Sequence, residues 1–227
     1  MSLYFWINLL SISVPFLVSF HPKIKLYKRW AALWPAMILT LIPYIVWDVY
    51  FTEHGYWGFN PEYLANIYLF SLPIEEWLFF ICIPYACVFT HEAILIINPK
   101  IGVSIDTSKK ISLGLLILFL AGLILFWNKA YTRVDAIYGM IALGLAYFFN
   151  PELLRRFYVT FLFMLIPFFI VNGILTGTGI ENEVVWYNNT ENLGIRMGTI
   201  PVEDTIYAFS MLLFNLFFFQ LFQKKRA

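Results

Sequence analysis

Charge is scarce in this 227-residue chain: Asp, Glu, Lys and Arg make up 13% of it, against about a quarter in a soluble domain. With 61% hydrophobic and 20% aromatic residues, the composition excludes an ordinary water-soluble fold. Cysteine is nearly absent. Cys82 and Cys87 lie five apart in one apolar stretch, which excludes a disulfide framework and a zinc site and leaves them as packing residues. A net charge of +1 carries no basic excess, so nucleic acid is excluded as a partner. Residues 200–223 hold no lysine, which excludes a photoreceptor with a Schiff-base lysine in its last helix. Glycine-rich phosphate loops are missing too. "GTGIEN" (177–182) has only an opening G-x-G without strand–turn–helix context, and is read as outer loop. "NNT" (188–190) fits a glycosylation pattern and adds only a hint of surface exposure.

What the chain has in abundance is apolar runs long enough to cross a bilayer, about 17–25 residues each. They fall at about 3–20, 31–51, 71–97, 111–127, 134–150, 158–175 and 200–223. The expectation is an all-α, multi-pass membrane protein with seven transmembrane helices. The first run lacks a basic leader region and is read as a retained span. Lys and Arg set the orientation, because cytoplasmic loops retain them. Segments 21–30, 98–110 and 151–157 and the tail (Lys224, Lys225, Arg226) hold twelve of the fifteen, and the alternate connections hold Lys129, Arg133 and Arg196. This predicts a cell-membrane protein with its N-terminus outside and its C-terminus cytoplasmic.

The chain also resembles itself. "LIPYIVWD" (41–48) aligns with "LIPFFIVN" (165–172), so that Asp48 matches Asn172. "LPIEEWLFF" (72–80) aligns with "IPVEDTIYAF" (200–209), placing Glu75 on Glu203 and Glu76 on Asp204. The predicted organisation is one membrane domain over 1–227: repeat A at about 1–97, a connector helix at about 111–127, and repeat B at about 134–223. A single connecting helix gives both three-helix units the same orientation, a 3+1+3 parallel repeat.

Seven of the fourteen acidic residues lie in or at the edge of these runs: Asp48, Glu75, Glu76, Glu92, Asp135, Glu203 and Asp204. Ionisable groups in a bilayer are costly and point to function. Proline followed by acids also suits an ordinary helix start; the matched second copy is what favours a site. Asp48, Glu75, Glu76, Glu203 and Asp204 converge on the outer half, joined by Asn172. Asp135 begins a helix on the same side, though the repeat does not mark it. Glu92 and His91 are placed about 28 Å away at the helical rise, near the cytoplasmic surface, with a solvated or interfacial role expected.

At "PIEEWLFF", "PVEDTIYAF" and the preceding "IVWD" and "IVN", the sequence resembles the membrane-integral lycopene cyclases, over nearly the whole chain. These occur as paired small subunits in some bacteria and as one fused chain in others, in archaea and in fungi. The resemblance implies cyclisation of the acyclic ends of lycopene to β-carotene through a monocyclic intermediate, without net redox change and without cofactor or metal. Lycopene, that intermediate and membrane lipid are the implied partners, with other carotenoid-pathway enzymes as neighbours and the oligomeric state open. The second copy departs in having Asp204 for Glu and Tyr-Ala-Phe for Leu-Phe-Phe, so the halves need not be equivalent.

The residues suit such chemistry. Two carboxyls in one dry site cannot both ionise cheaply, so one keeps its proton while the other stays a base, and they titrate as a set. Glu75 and Glu203 are the leading acid and base candidates; Glu76, Asp204 and Asp48 tune or relay the proton; Asn172 orients. Trp47, Trp77, Phe79, Phe80, Tyr207 and Phe209 are candidates to stabilise a cation through their ring faces. The alternatives are another carotenoid end-group enzyme, a hydratase or an ε- or γ-ring cyclase, and a small seven-helix solute transporter.

Overall fold

The computed structural model describes residues 2–224; Lys225 and Arg226 of the basic tail lie outside the described residues. Among the described residues seven α-helices follow one another: α1 (Leu3–Val18), α2 (Trp30–Glu53), α3 (Ile74–Ile97), α4 (Ile105–Leu125), α5 (Ala130–Phe149), α6 (Pro151–Leu175) and α7 (Glu203–Lys224). Six are long and apolar enough to span a membrane, and α1 is a shorter apolar helix of 16 residues. The chain is an all-α, multi-pass membrane protein.

The helix starts carry their reasons in the sequence. Ser2 caps α1 by accepting the Phe5 amide, and Ser104 caps α4 by accepting that of Thr107. Asn150 caps α6 with Pro151 in its first turn, where a missing N–H costs nothing. Helices α4 and α6 begin well before the point hydropathy alone predicts, at 105 rather than 111 and at 151 rather than 158. Caps and polar first turns extend a helix past its apolar run. In α6 that turn is tied by Glu152 to Arg155 and Arg156 at 2.8 and 2.6 Å.

Helix α1 packs on α3 and α5 on α7, while α2 lies against α7 and α6 touches α3. The first three and last three helices therefore interlock rather than stand side by side. On the polar side that carries the acids, two connections form a roof. Strand β1 (Trp57–Phe59) of the α2–α3 connection pairs antiparallel with β4 (Val185–Tyr187) of the α6–α7 connection, in register Trp57↔Tyr187 and Phe59↔Val185. Gly58 permits this pairing: a Cβ there would come within 2.4 Å of the Trp186 ring. Each connection ends in a short hairpin against its helix start, β2 (Tyr68–Leu69) with β3 (Leu72–Pro73), and β5 (Arg196–Met197) with β6 (Ile200–Pro201).

One expectation needs correcting. Glu92 and His91 are buried, not solvated. Glu92 pairs with Arg29, whose guanidinium also lies 5.7 Å from the Phe219 ring centroid, and a His91 ring nitrogen meets the Thr160 hydroxyl at 2.8 Å. The neighbouring segment before α2 supplies a half-buried cation that a single helix cannot reveal.

Candidate active site

The two acid pairs open α3 and α7, and within each pair the side chains part company because successive residues on a helix point about 100° apart. Glu75 turns toward its own connection. Its Oε1 accepts the Ser2 hydroxyl and, at 2.7 Å, the Ala65 amide, while its backbone carbonyl accepts Asn8 Nδ2 at 2.8 Å. Glu203 does the same: its Oε1 accepts the Thr132 hydroxyl and the Leu193 amide, both at 2.7 Å. Ala65 and Leu193 each stand ten residues before the acid they hold. These carboxyls fasten the hairpin loops to the helix starts.

Glu76 and Asp204 point elsewhere, into a cavity of about 380 Å³ that Asp48 and Asn172 also line. Glu76 accepts the Tyr4 hydroxyl at 2.5 Å, and its neighbour Asp48 keeps one carboxyl oxygen that meets no donor. Asp48 in turn accepts the indole N–H of Trp57 at 2.6 Å. Asp204 accepts three donors: the Tyr131 hydroxyl at 2.6 Å, the Tyr187 hydroxyl at 3.1 Å and Asn172 Nδ2 at 3.2 Å. Burial, and then the adjacent Asp204, push the Tyr187 phenol well above its ordinary value, so it remains a donor. One cluster is thus two carboxyls side by side, and the other is a single carboxylate in a cradle of donors.

Of the aromatic candidates, Phe79 and Tyr207 line the cavity; Trp47, Trp77, Phe80 and Phe209 do not. Trp47 is packed behind it, with ring centroids 4.7 Å from Tyr138 and 4.9 Å from Tyr207. Trp77 donates to the Leu69 carbonyl at 3.1 Å, Phe80 is buried in the core, and Phe209 lies between Phe157 and Phe161. Cys82 is buried in packing, whereas Cys87 reaches the cavity wall.

Around the acids stand four aromatics that pattern reading missed: Tyr4, Trp57, Tyr131 and Tyr187. The tyrosines of α1 and α5 were within reach of the alignment, since Tyr4 precedes Glu76 by 72 residues and Tyr131 precedes Asp204 by 73. Trp57 and Tyr187 come from the roof strands, where no helical period marks them.

Asp135, placed on this side by the sequence but given no role, is fully buried with neither carboxylate oxygen meeting a donor. It stands four residues after Tyr131, as Asn8 stands four after Tyr4. Each half therefore carries three acids and one amide, but with the amide on α1 in the first and on α6 in the second.

The family model described as lycopene cyclase matches residues 1–94 and 128–222. The chain belongs to the lycopene cyclase family. No curated protein and no solved structure matches it. Every carboxyl of the cyclase cavity falls inside the matched segments, and the stretch between them holds α4. The family places the chain in carotenoid metabolism, and an apolar cavity ending in carboxyls suits a hydrocarbon substrate whose ends react with protons.

Proposed function

We propose that this chain is a lycopene β-cyclase working by acid–base chemistry, with the Asp48–Glu76 pair as acid and Asp204 as base. The observation that carries the reading is the contrast between the two clusters at one end of the cavity. Adjacent carboxyls in a site shielded from water retain one proton between them, which makes them a proton donor. The hydrogen bonds from Tyr131, Tyr187 and Asn172 offset part of the cost of holding Asp204 ionised, which makes it the carboxyl better placed to accept a proton.

The acid pair adds a proton to C2 of the end group, leaving a cation at C1. The 5,6 double bond attacks it, the C1–C6 bond closes the ring, and the cation moves to C5. Asp204 then removes the C6 proton, and those electrons restore the 5,6 double bond within the ring. One proton enters and one leaves, with no change of oxidation state. The faces of Phe79, Trp57 and Tyr207 border the cavity and stabilise the cation by ~2 kcal/mol each where water is excluded. Glu75 and Glu203 act as positioning residues that hold the loops on the helix starts, and Asn172 orients Asp204.

Helices α1–α3 and α5–α7 are read as parallel repeats joined by α4 within one membrane domain. The corresponding donors to Glu75 and Glu203, and to Glu76 and Asp204, support it. The basic loops favour an N-terminus outside and a cytoplasmic C-terminus, with the acids in the outer half.

Expression in lycopene-accumulating cells, with chromatography and absorption spectra of the pigments, tests this directly. β-Carotene from the parent chain and unreacted lycopene from Glu76→Gln and Asp204→Asn are expected. Lycopene left unchanged by a membrane-inserted parent chain would overturn the reading, and ε- or γ-ring products would move the base from C6 to another proton.

A further inference from the structure

The cavity does not stop at the acids. Along α3 its wall runs from Glu76 to Thr90, fourteen residues farther on, or about 21 Å at the helical rise. The far wall is apolar or weakly polar, and its only carboxyls, Asp48, Glu76 and Asp204, are gathered at the roofed end. Helices α1 and α6 touch only lightly, and residues of both line the cavity while facing outward. Leu10, on α1, lines the cavity yet is 66% exposed, and Ile170, on α6, lines it yet is 62% exposed. Both sit within apolar helices, so this side of the cavity faces lipid hydrocarbon rather than water.

We infer that the carotenoid enters sideways from the bilayer between α1 and α6, and that the cavity takes one end group at a time. The monocyclic product therefore leaves, reverses and re-enters before the second ring closes. This rests on the cyclase reading above. A long polyene with a reactive group at each end can bring only one of them to a single acid cluster, and the far wall holds no carboxyl to serve the other. The half-cyclised molecule differs from the substrate only at its spent end, so the same groove receives it in the opposite sense.

The test uses the full chain in phosphatidylcholine vesicles loaded with unlabelled lycopene and an equal amount of deuterium-labelled monocyclic carotenoid. Mass spectrometry of the first bicyclic product is expected to show label in nearly all of it, with unlabelled bicyclic product appearing only after a lag during which unlabelled monocyclic carotenoid accumulates. Bicyclic product that is unlabelled from the first turnovers would overturn the inference while leaving the cyclase reading intact. Leu10→Trp and Ile170→Trp narrow the side opening. Each is expected to raise the half-saturating lycopene content of the vesicles severalfold and to reduce lycopene retained after detergent washing. Unchanged saturation and retention in both would refute lateral entry. A chain that retains lycopene but forms no ring would refute the cyclase reading alone, and one that neither retains nor cyclises it would refute both.

Discussion

The first half of the molecule offers the cavity two carboxyls and the second half a carboxyl and an amide, although the sequence motifs that carry them align. In the proposed scheme Asp48 beside Glu76 keeps the shared proton, and Asp204, with Asn172 and two phenols donating to it, receives one. The difference between the two clusters is then an acid on α2 against an amide on α6. The complementary exchange on the first helix, Asn8 against Asp135, keeps the number of acids equal.

The most damaging way to break this comparison is to remove a reactive carboxyl. Glu76→Gln and Asp204→Asn are each expected to lower the rate of ring closure by about 10²–10⁴-fold, the usual contribution of a positioned acid or base, read as lycopene remaining in pigment extracts. Next comes Asn172→Asp, which makes the halves alike. Asp204 would then exchange a donor for a neighbouring acid, and the predicted outcome is a rate lower by roughly tenfold or more, in keeping with about 1.5–3 kcal/mol for a hydrogen bond to a charged group. A variant as active as the parent would show that the asymmetry is incidental. Tyr131→Phe and Tyr4→Phe sharpen the same contrast. Removing the donor from Asp204 should slow cyclisation by about tenfold, whereas Tyr4→Phe strips one donor from an acid pair that keeps its shared proton and should cost less. Initial rates in vesicles for both variants decide it. The smallest effect belongs to the Glu75→Gln, Glu203→Gln double variant. An amide oxygen can still accept the loop amides of Ala65 and Leu193, so cyclisation should persist with a thermal stability lower by about 1–3 kcal/mol. Complete loss of activity with unchanged thermal stability would return the reactive roles to these two residues.

The helices, their number and the acids at their starts were legible from hydropathy and from the paired motifs, because membrane burial leaves a long apolar signature. Which acid of each pair faces the cavity was not legible. Glu75 and Glu76 are adjacent in an alignment, and only the packing of α1 on α3 decides that one meets Ser2 and the other Tyr4. The same limit applies to the aromatics. Trp47 and Phe80 sit beside the motifs yet face other rings, whereas Trp57 and Tyr187 reach the acids from short strands too irregular to carry a period. Loop contacts across 130 residues of chain, such as Trp57 with Tyr187, follow from tertiary register rather than from any local pattern.

That strand pairing has a consequence for how the protein is made. The N-terminal half is synthesised first, so Asp48, Glu76 and Trp57 exist before the strand that roofs them. Until residue 187 has emerged and β4 has paired, the first acid cluster stands open to water and cannot keep a cation dry. A chain arrested halfway would present those carboxyls without the strand that covers them.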